Sequence, residues 1–292
     1  MRRGDPKQQG GGSELGRVEA AASFNEYAAE DSLYKEAVRR LRADLDLGYP
    51  ITMVTRDFLP NFDFGRCALV VVVGQDGLVA NAAKYVGEIP IVGVNPDPQR
   101  NDGILVPFDV KHVRAAAQRA LAGQARVRSI TLARVELNDG QSMSAFNDFF
   151  VGRRTHVSAR YTLRVRGRAE VQSSSGIIVS TGAGSTGWFS SVFNMNRGLS
   201  RWLKGQTGGI PQLRWEDRQL LWAVREPFIS KHSNADLVAG ELHEGEELII
   251  ESLTPEDGVI FSDGVEQDYL EFNSGIIARV AVSRQRAHLV VS

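Results

Sequence analysis

A chain of 292 residues can hold two domains, and 42% hydrophobic with 24% charged residues is ordinary for a globular protein. The formal net charge of −1 offers no overall attraction for nucleic acid or an anionic membrane, so neither is an expected partner. A single cysteine, Cys67, excludes an intrachain disulfide, which fits a reducing cytoplasm, and the longest apolar run is far too short to cross a bilayer.

Residues 1–20 lack an apolar core and read as a disordered tail, not a secretory signal. Tyr27, Tyr34, Val38, Leu41 and Leu45 then form one apolar face of an amphipathic helix, with Arg39, Arg40, Arg42 and Asp44 around the rest. Short strands are expected at Ile51–Val54, Ala68–Val73 and Ile89–Val94, the last stopped by Pro96 and Pro98. The run Leu78–Tyr85 has the character of a helix start, and Lys111–Leu121 forms another helix closed by Gly123. Alternating strands and helices predict a doubly wound α/β domain over residues 21–124. Gly16–Glu19 is too short and polar to be its opening strand, so that strand is either absent or replaced by the tail.

From residue 125 the period changes. Ala133, Val135 and Leu137 alternate with Arg134 and Glu136, and Asn138-Asp139-Gly140 supplies hairpin chemistry. Tyr161, Leu163 and Val165 alternate in the same way, and short strands are expected at Leu220–Val224, Leu248–Glu251, Val259–Ser262, Ile276–Val282 and His288–Val291. Residues 125–292 therefore read as a larger antiparallel β-rich domain.

Three stretches carry chemistry. In the first, the buried strand Ala68–Val73 runs into Gly74-Gln75-Asp76-Gly77 and a helix, a geometry that aims backbone N–H groups and a positive helix end at an anion such as phosphate. A carboxylate in such a turn makes sense if Asp76 takes a proton or helps hold a metal ion, which points to phosphoryl transfer. The second stretch is Phe146-Asn147-Asp148-Phe149-Phe150-Val151, and the third runs from Ser175-Gly176 through Thr181-Gly182-Ala183-Gly184-Ser185-Thr186-Gly187-Trp188. In this order the three resemble the NAD kinase family, whose larger superfamily includes diacylglycerol kinases; Phe261-Ser262-Asp263-Gly264 resembles that family's C-terminal strands. The resemblance runs from about residue 50 onward. It implies a small α/β domain beside a larger β domain, with the C-terminal segment packing back on the first.

The resemblance assigns Asp76 as the base, or base-orienting group, acting on a ribose hydroxyl, whereas on its own it reads equally as a helix cap. Asn147 and Asp148 match an Asn-Glu/Asp pair that holds the nicotinamide riboside end of NAD; the bland alternative is a turn. Gly74, Gln75, Gly77, Thr181, Gly184, Ser185 and Thr186 make up two phosphate-type loops, with small residues for close approach and hydroxyls as donors. Departures from the family are Gln75 for its second glycine, Leu78 for threonine, Gly187 for alanine, Trp188 for tyrosine and Ser175 for aspartate. Trp188 reads as either an adenine platform or a core residue. Arg153 and Arg154 are the arginines nearest a phosphate role, while Arg164 and Arg166 alternate as a solvated strand face. His112, His156, His232, His243 and His288 are scattered without metal-site spacing, so no protein-bound metal is expected.

The expected activity is ATP-dependent phosphorylation of the 2′-hydroxyl of NAD, with Mg²⁺ screening the triphosphate, in a cytoplasmic homo-oligomer, a dimer or tetramer. Alternatives are a kinase of the same superfamily acting on another small-molecule or sugar hydroxyl, and a catalytically weak nucleotide-binding protein with a degraded loop at Gln75 and Leu78. A lipid acceptor is disfavoured because no basic amphipathic segment stands out.

Overall fold

The computed structural model describes residues 32–100, 102–206, 208–209 and 211–292. The tail at 1–20, Gly16–Glu19 and Tyr27 lie outside the described residues. Helix α1 (32–44) is followed by 3-10 turns at Arg56–Asn61 and Phe64–Arg66, then by β1 (Val70–Val73), α2 (Asp76–Val86), β2 (Pro90–Asn95), β3 (Phe108–Asp109) and α3 (Val113–Leu121). β1 and β3 both pair with β2 in parallel. Helices cover both faces of this parallel unit. α2 packs Val79, Ala80 and Ala83 with Ile91, while Leu41 of α1 and Val113 and Ala116 of α3 pack with Val92 and Val94. Successive strand residues point to opposite faces, so each valine of β2 commits to one helix layer.

The expected strand Ile51–Val54 does not form. Ile51 and Met53 are exposed and Val54 alone packs on the core, so the segment has no continuous apolar face to hold it in a ladder.

The remaining elements are β4 (Val127–Leu137), β5 (Ser142–Ala145), β6 (Asp148–Arg153), β7 (Ala159–Val165), β8 (Arg168–Ser174), β9 (Gly176–Ser180), α4 (Trp188–Trp202), β10 (Gln219–Arg225), β11 (Ala239–His243), β12 (Glu247–Ser252), β13 (Gly258–Ser262), β14 (Tyr269–Glu271) and β15 (Ile277–Val290). One sheet runs β1-β2-β15-β12-β7-β8, with β3 on β2 and β4–β5 on β15; a second, antiparallel sheet runs β11-β10-β9-β6-β13-β14. Phe149, Tyr161, Ile177, Leu248, Ile260 and Val280 fill the space between them. The fold is thus an α/β unit joined to an antiparallel β-rich one.

The two C-terminal strands expected separately are one long strand. β15 pairs with β4 along both of its halves across an irregularity between Val282 and Arg286, and its end runs parallel to β2 through His288 and Leu289. The last strand therefore ties the parallel unit to the antiparallel one.

Helix α4 corrects the expectation that the chain lacks a basic amphipathic segment. Trp188, Phe189, Val192 and Phe193 pack on the outer face of the second sheet, while its later turns carry exposed apolar and basic side chains. Gly187 before it and Gly198 within it, with several Ser and Asn residues, obscure the helix in sequence.

Candidate functional site

The turn after β1 is built as the glycine pattern requires. Gly74 has φ +151, a region that L side chains rarely adopt, and its N–H donates to the Val94 carbonyl at 3.0 Å. Gln75 stands before α2 with extended backbone and an exposed side chain that caps nothing, whereas Gly77 faces open space. Leu78, in the position of the family's threonine, is half-buried: it lies against Gly74 and packs into the apolar cluster of α2.

Asp76 is the first residue of α2, and it does not cap that helix. Its carboxylate reaches across to the loop after β2, accepting from the Ile104 N–H at 3.0 Å and the Leu105 N–H at 2.8 Å. Gly93 makes this closure possible, because a Cβ there would meet the Leu105 carbonyl oxygen at 2.0 Å. Asp76 thus fixes a loop over the C-terminal ends of parallel strands, the edge where ligands of open α/β sheets bind.

A second focus forms where the chain leaves one sheet for the other. β5 ends at Ala145 in the first sheet and β6 starts at Asp148 in the second, with Phe146 and Asn147 as the corner. β9 and β13 flank β6 and run antiparallel to it, so their C-terminal ends arrive where β6 begins. From the β13 end, the Asp263 carboxylate accepts from the backbone N–H groups of Phe146 (3.1 Å), Asn147 (2.6 Å) and Asp148 (3.3 Å). From the β9 end, the Thr181 hydroxyl donates to the Phe146 carbonyl at 2.6 Å and the Thr181 N–H to the Asn147 carbonyl at 2.8 Å. Gly184 completes the brace, since a Cβ there would sit 2.3 Å from the Asn147 carbonyl oxygen.

This corner is electrostatically unusual. Burial, and then the neighbouring Asp263 charge, push the Asp148 carboxyl up to about 7. Burial also raises the Asp263 carboxyl, an effect opposed first by the Lys84 ammonium and then by the three amide donors. Lys84 is pulled down by its own burial and held up mainly by Asp263; its Nζ donates to the Ser262 hydroxyl at 2.9 Å and lies 4.0 Å from Asp263 Oδ2. The adjacent Tyr85 hydroxyl donates to Asp268 Oδ2 at 2.5 Å, and burial raises its phenol. The last turns of α2 are thereby fastened to the end of β13. Asp76 lies eight positions earlier, about 12 Å along the same helix at 1.5 Å per residue.

Sequence reasoning singled out Asn147 and Asp148, which the structure places at this corner, but gave their neighbours Lys84 and Asp263 no part in it. The usable signals were a lone lysine among the apolar residues Val79–Val86 and an Asp-Gly pair directly after a strand. Several other expectations need correction. The Thr181 hydroxyl is spent on the Phe146 carbonyl and the Ser185 hydroxyl inside the loop, donating to the Gly182 carbonyl at 2.8 Å. Gly182 is small because Arg214 packs against it, a Cβ there meeting the Arg214 carbonyl oxygen at 2.1 Å. Thr186 and Gly187 are exposed. Arg153 ends β6, five residues and about 16 Å from Asp148, and pairs with Asp257 at 3.5 Å; Arg154 stacks over the Tyr269 ring. Ser175 precedes β9 and lies at that strand's far end from Thr181. None of these three is beside the corner. Trp188 stacks on Phe150 and Phe261, with ring centroids 5.6 and 6.3 Å away, within the protein. Arg164 pairs with Glu251 on an exposed strand face, as the alternation implied, whereas Arg166, expected on the same face, lies in the turn after β7 with φ 48 and pairs with Glu246. An open cleft of about 690 Å³ is lined by Arg126, Arg128, Glu216 and Arg286 and includes none of these site residues. Among the described residues, no three His, Cys, Asp or Glu side chains cluster as metal ligands.

No family model matches the chain. An NAD kinase of Geotalea daltonii is 29% identical over 148 residues, covering 46% of this chain and 47% of that protein. A probable NADH kinase of Oryza sativa subsp. japonica is 26% identical over 220 residues, covering 67% and 62% respectively. The chain therefore spans less than two thirds of the length of either relative. Among solved structures, yeast NADH kinase complexed with NADH is similar with a TM-score of 0.62 at 16% identity, over 89% of this chain and 80% of that one. An NAD kinase from Archaeoglobus fulgidus in complex with ATP gives 0.59 at 19% identity, over 87% and 89%. The chain has the fold of the NAD kinases, and in sequence it is a divergent relative of proteins named NAD kinase and NADH kinase.

Proposed function

We propose that the chain is an NAD kinase-like phosphotransferase, moving the γ-phosphoryl group of ATP to the 2′-hydroxyl of NAD to give NADP. The observation that carries this reading is the braced corner at Asn147 and Asp148, a polar pair held by Asp263 and the Thr181–Gly187 loop beside α2. The side-chain amide of Asn147 donates and accepts, as ribose hydroxyls and a carboxamide demand. Asp148, with its carboxyl near neutrality, donates a hydrogen bond when protonated and accepts when ionised. In the transfer, a bond forms between the ribose 2′-oxygen and the γ-phosphorus as the bond to the β-bridging oxygen breaks. ADP departs, and the hydroxyl proton passes to Asp76 or to a group that Asp76 orients. Two amide donors fix the Asp76 carboxylate and leave lone pairs for this role. The start of α2 and the Thr181–Gly187 loop attend the phosphates.

In this reading Mg²⁺ enters with the ATP phosphates and supplies charge screening. A cytoplasmic enzyme that assembles as a homo-oligomer belongs to the same reading. A second reading, a kinase for another hydroxyl compound, is favoured by the altered phosphate turn, with Gln75 exposed and Leu78 turned into the core.

The purified chain supplied with ATP, Mg²⁺ and NAD should form NADP, detected by an NADP-specific dehydrogenase. Asn147→Ala should weaken NAD binding by about ten- to a hundredfold, the worth of one or two lost hydrogen bonds, with ATP affinity unchanged. NADP formation absent while sugars are phosphorylated would replace NAD as the acceptor; unchanged NAD affinity in Asn147→Ala would remove the corner from the substrate site.

A further inference from the structure

The later turns of α4 carry two stripes. Met195, Leu199, Trp202 and Leu203 recur at i, i+4, i+7 and i+8 on one face and are 49, 49, 77 and 69% exposed. Arg197 and Arg201 recur at i and i+4, displaced by two positions and so lying on the opposite side, and Lys204 follows just beyond the helix end. The first turns anchor the helix through Phe189, Val192 and Phe193, whereas from Asn194 to Gln206 every residue is exposed or half-exposed. No Asp or Glu occurs between Glu170 and Glu216. The net charge of −1 for the whole chain hides this local excess of positive charge.

We propose that this half of α4 docks on an anionic lipid surface. A favourable helix dipole accounts for Arg201 and Lys204 near the C-terminus, but it gives no reason for an exposed Trp202. A second copy of the chain would cover the apolar stripe and leave the basic one in water. An anionic bilayer takes both: the apolar side chains enter the boundary between headgroups and acyl chains, while the long cationic ones extend to the phosphates. Tryptophan is well suited to that depth, with an apolar ring and an N–H donor. α4 follows directly on the Thr181–Gly187 loop, so docking would present the site next to the membrane without spanning it.

The full chain should co-sediment with vesicles of phosphatidylcholine containing phosphatidylglycerol, and not with pure phosphatidylcholine vesicles. Raising the salt concentration should release it. Arg197→Gln with Arg201→Gln and Lys204→Gln should lower partitioning by about two powers of ten. Trp202→Ser with Leu203→Ser should abolish it. All five side chains are exposed or half-exposed, so thermal unfolding of both variants should match the parent. Failure to bind anionic vesicles, or equal binding by parent and both variants, overturns the proposal. It is also overturned if light scattering shows that Trp202→Ser with Leu203→Ser dissociates an oligomer while vesicle binding persists, which would make a second copy the occupant. None of these readouts depends on the phosphoryl acceptor.

Discussion

The Asp263 carboxylate accepts a 2.6 Å hydrogen bond from the Asn147 backbone N–H, although the two residues are 116 positions apart. Asp263 adopts the left-handed conformation, φ 55, to deliver it. Such a backbone is costly for a non-glycine residue and persists where its surroundings dictate it. Here the surroundings are three amide donors and a buried lysine, so the strain at the end of β13 is coupled to the placement of Asn147 and Asp148.

Asp263→Asn should therefore weaken both fold and ligand binding. Asparagine tolerates the left-handed conformation, which limits the backbone cost. Its NH₂ group cannot accept, so part of the amide set loses its partner at about 1–3 kcal/mol, and Lys84 loses its counter-charge. Denaturant titration should show the stability loss, and calorimetry should show NAD affinity falling more than ATP affinity. Equal losses for the two ligands would mean that Asp263 does not position the corner selectively.

Two glycines of the same loop should respond in opposite ways. Gly184→Ala places a Cβ 2.3 Å from the Asn147 carbonyl oxygen, which must move, at about 1–3 kcal/mol and with loss of NAD binding. Gly187→Ala meets its nearest neighbour, the Gly184 carbonyl oxygen, at 3.4 Å and should be close to neutral. Melting temperatures and NAD dissociation constants of the pair decide this directly.

Asp76→Asn should reduce kcat by about two to four powers of ten if the carboxylate receives or directs the hydroxyl proton. It also leaves an NH₂ facing one of the Ile104 and Leu105 N–H groups, at a cost of about 1–2 kcal/mol. A variant that keeps near-full turnover while losing stability would make Asp76 a structural clip alone.

Stability and binding should both depend on pH through Asp148. Its carboxyl moves from an ordinary 3.8 to about 7, so the folded chain keeps that proton to higher pH than the unfolded chain does. Its contribution to stability is full below the ordinary value and is lost as pH rises toward 7, at up to about 1.4 kcal/mol per pH unit. Raised Asp263 acts in the same direction. Denaturation midpoints of the parent and Asp148→Asn from pH 4 to pH 8 should converge at the acid end and separate, with the variant more stable, toward the alkaline end. The NAD dissociation constant should show an inflection near 7 that the variant lacks.

Restoring the family pattern at the phosphate turn should now carry a stability penalty. Leu78→Thr removes apolar contacts with the α2 cluster, at about 1–2 kcal/mol, while Gln75→Gly alters an exposed side chain. A lower KM for ATP in the double variant would mean that Gln75 and Leu78 weaken an ATP cradle; reduced activity would mean that they suit another donor or acceptor.

The sequence by itself determined the features that depend on local order. The valine run into Gly74, the period-2 alternation at Ala133–Leu137 and Tyr161–Val165, and the order of the three motifs established an α/β unit followed by a β-rich one. Period and turn chemistry are written in adjacent residues, and burial enforces them. The tertiary structure alone decided what distant residues do for one another. Asp76 became a clip for Ile104 and Leu105, and Gly182 and Gly184 became contact points for Arg214 and Asn147. Arg153 and Ser175 were carried to the far ends of β6 and β9, because a strand separates its two termini by its whole length. Asp263 came to the corner because antiparallel neighbours deliver their ends to the start of β6, and Lys84 because the last turns of α2 pack against the end of β13; burial away from water makes the charges gathered there govern one another.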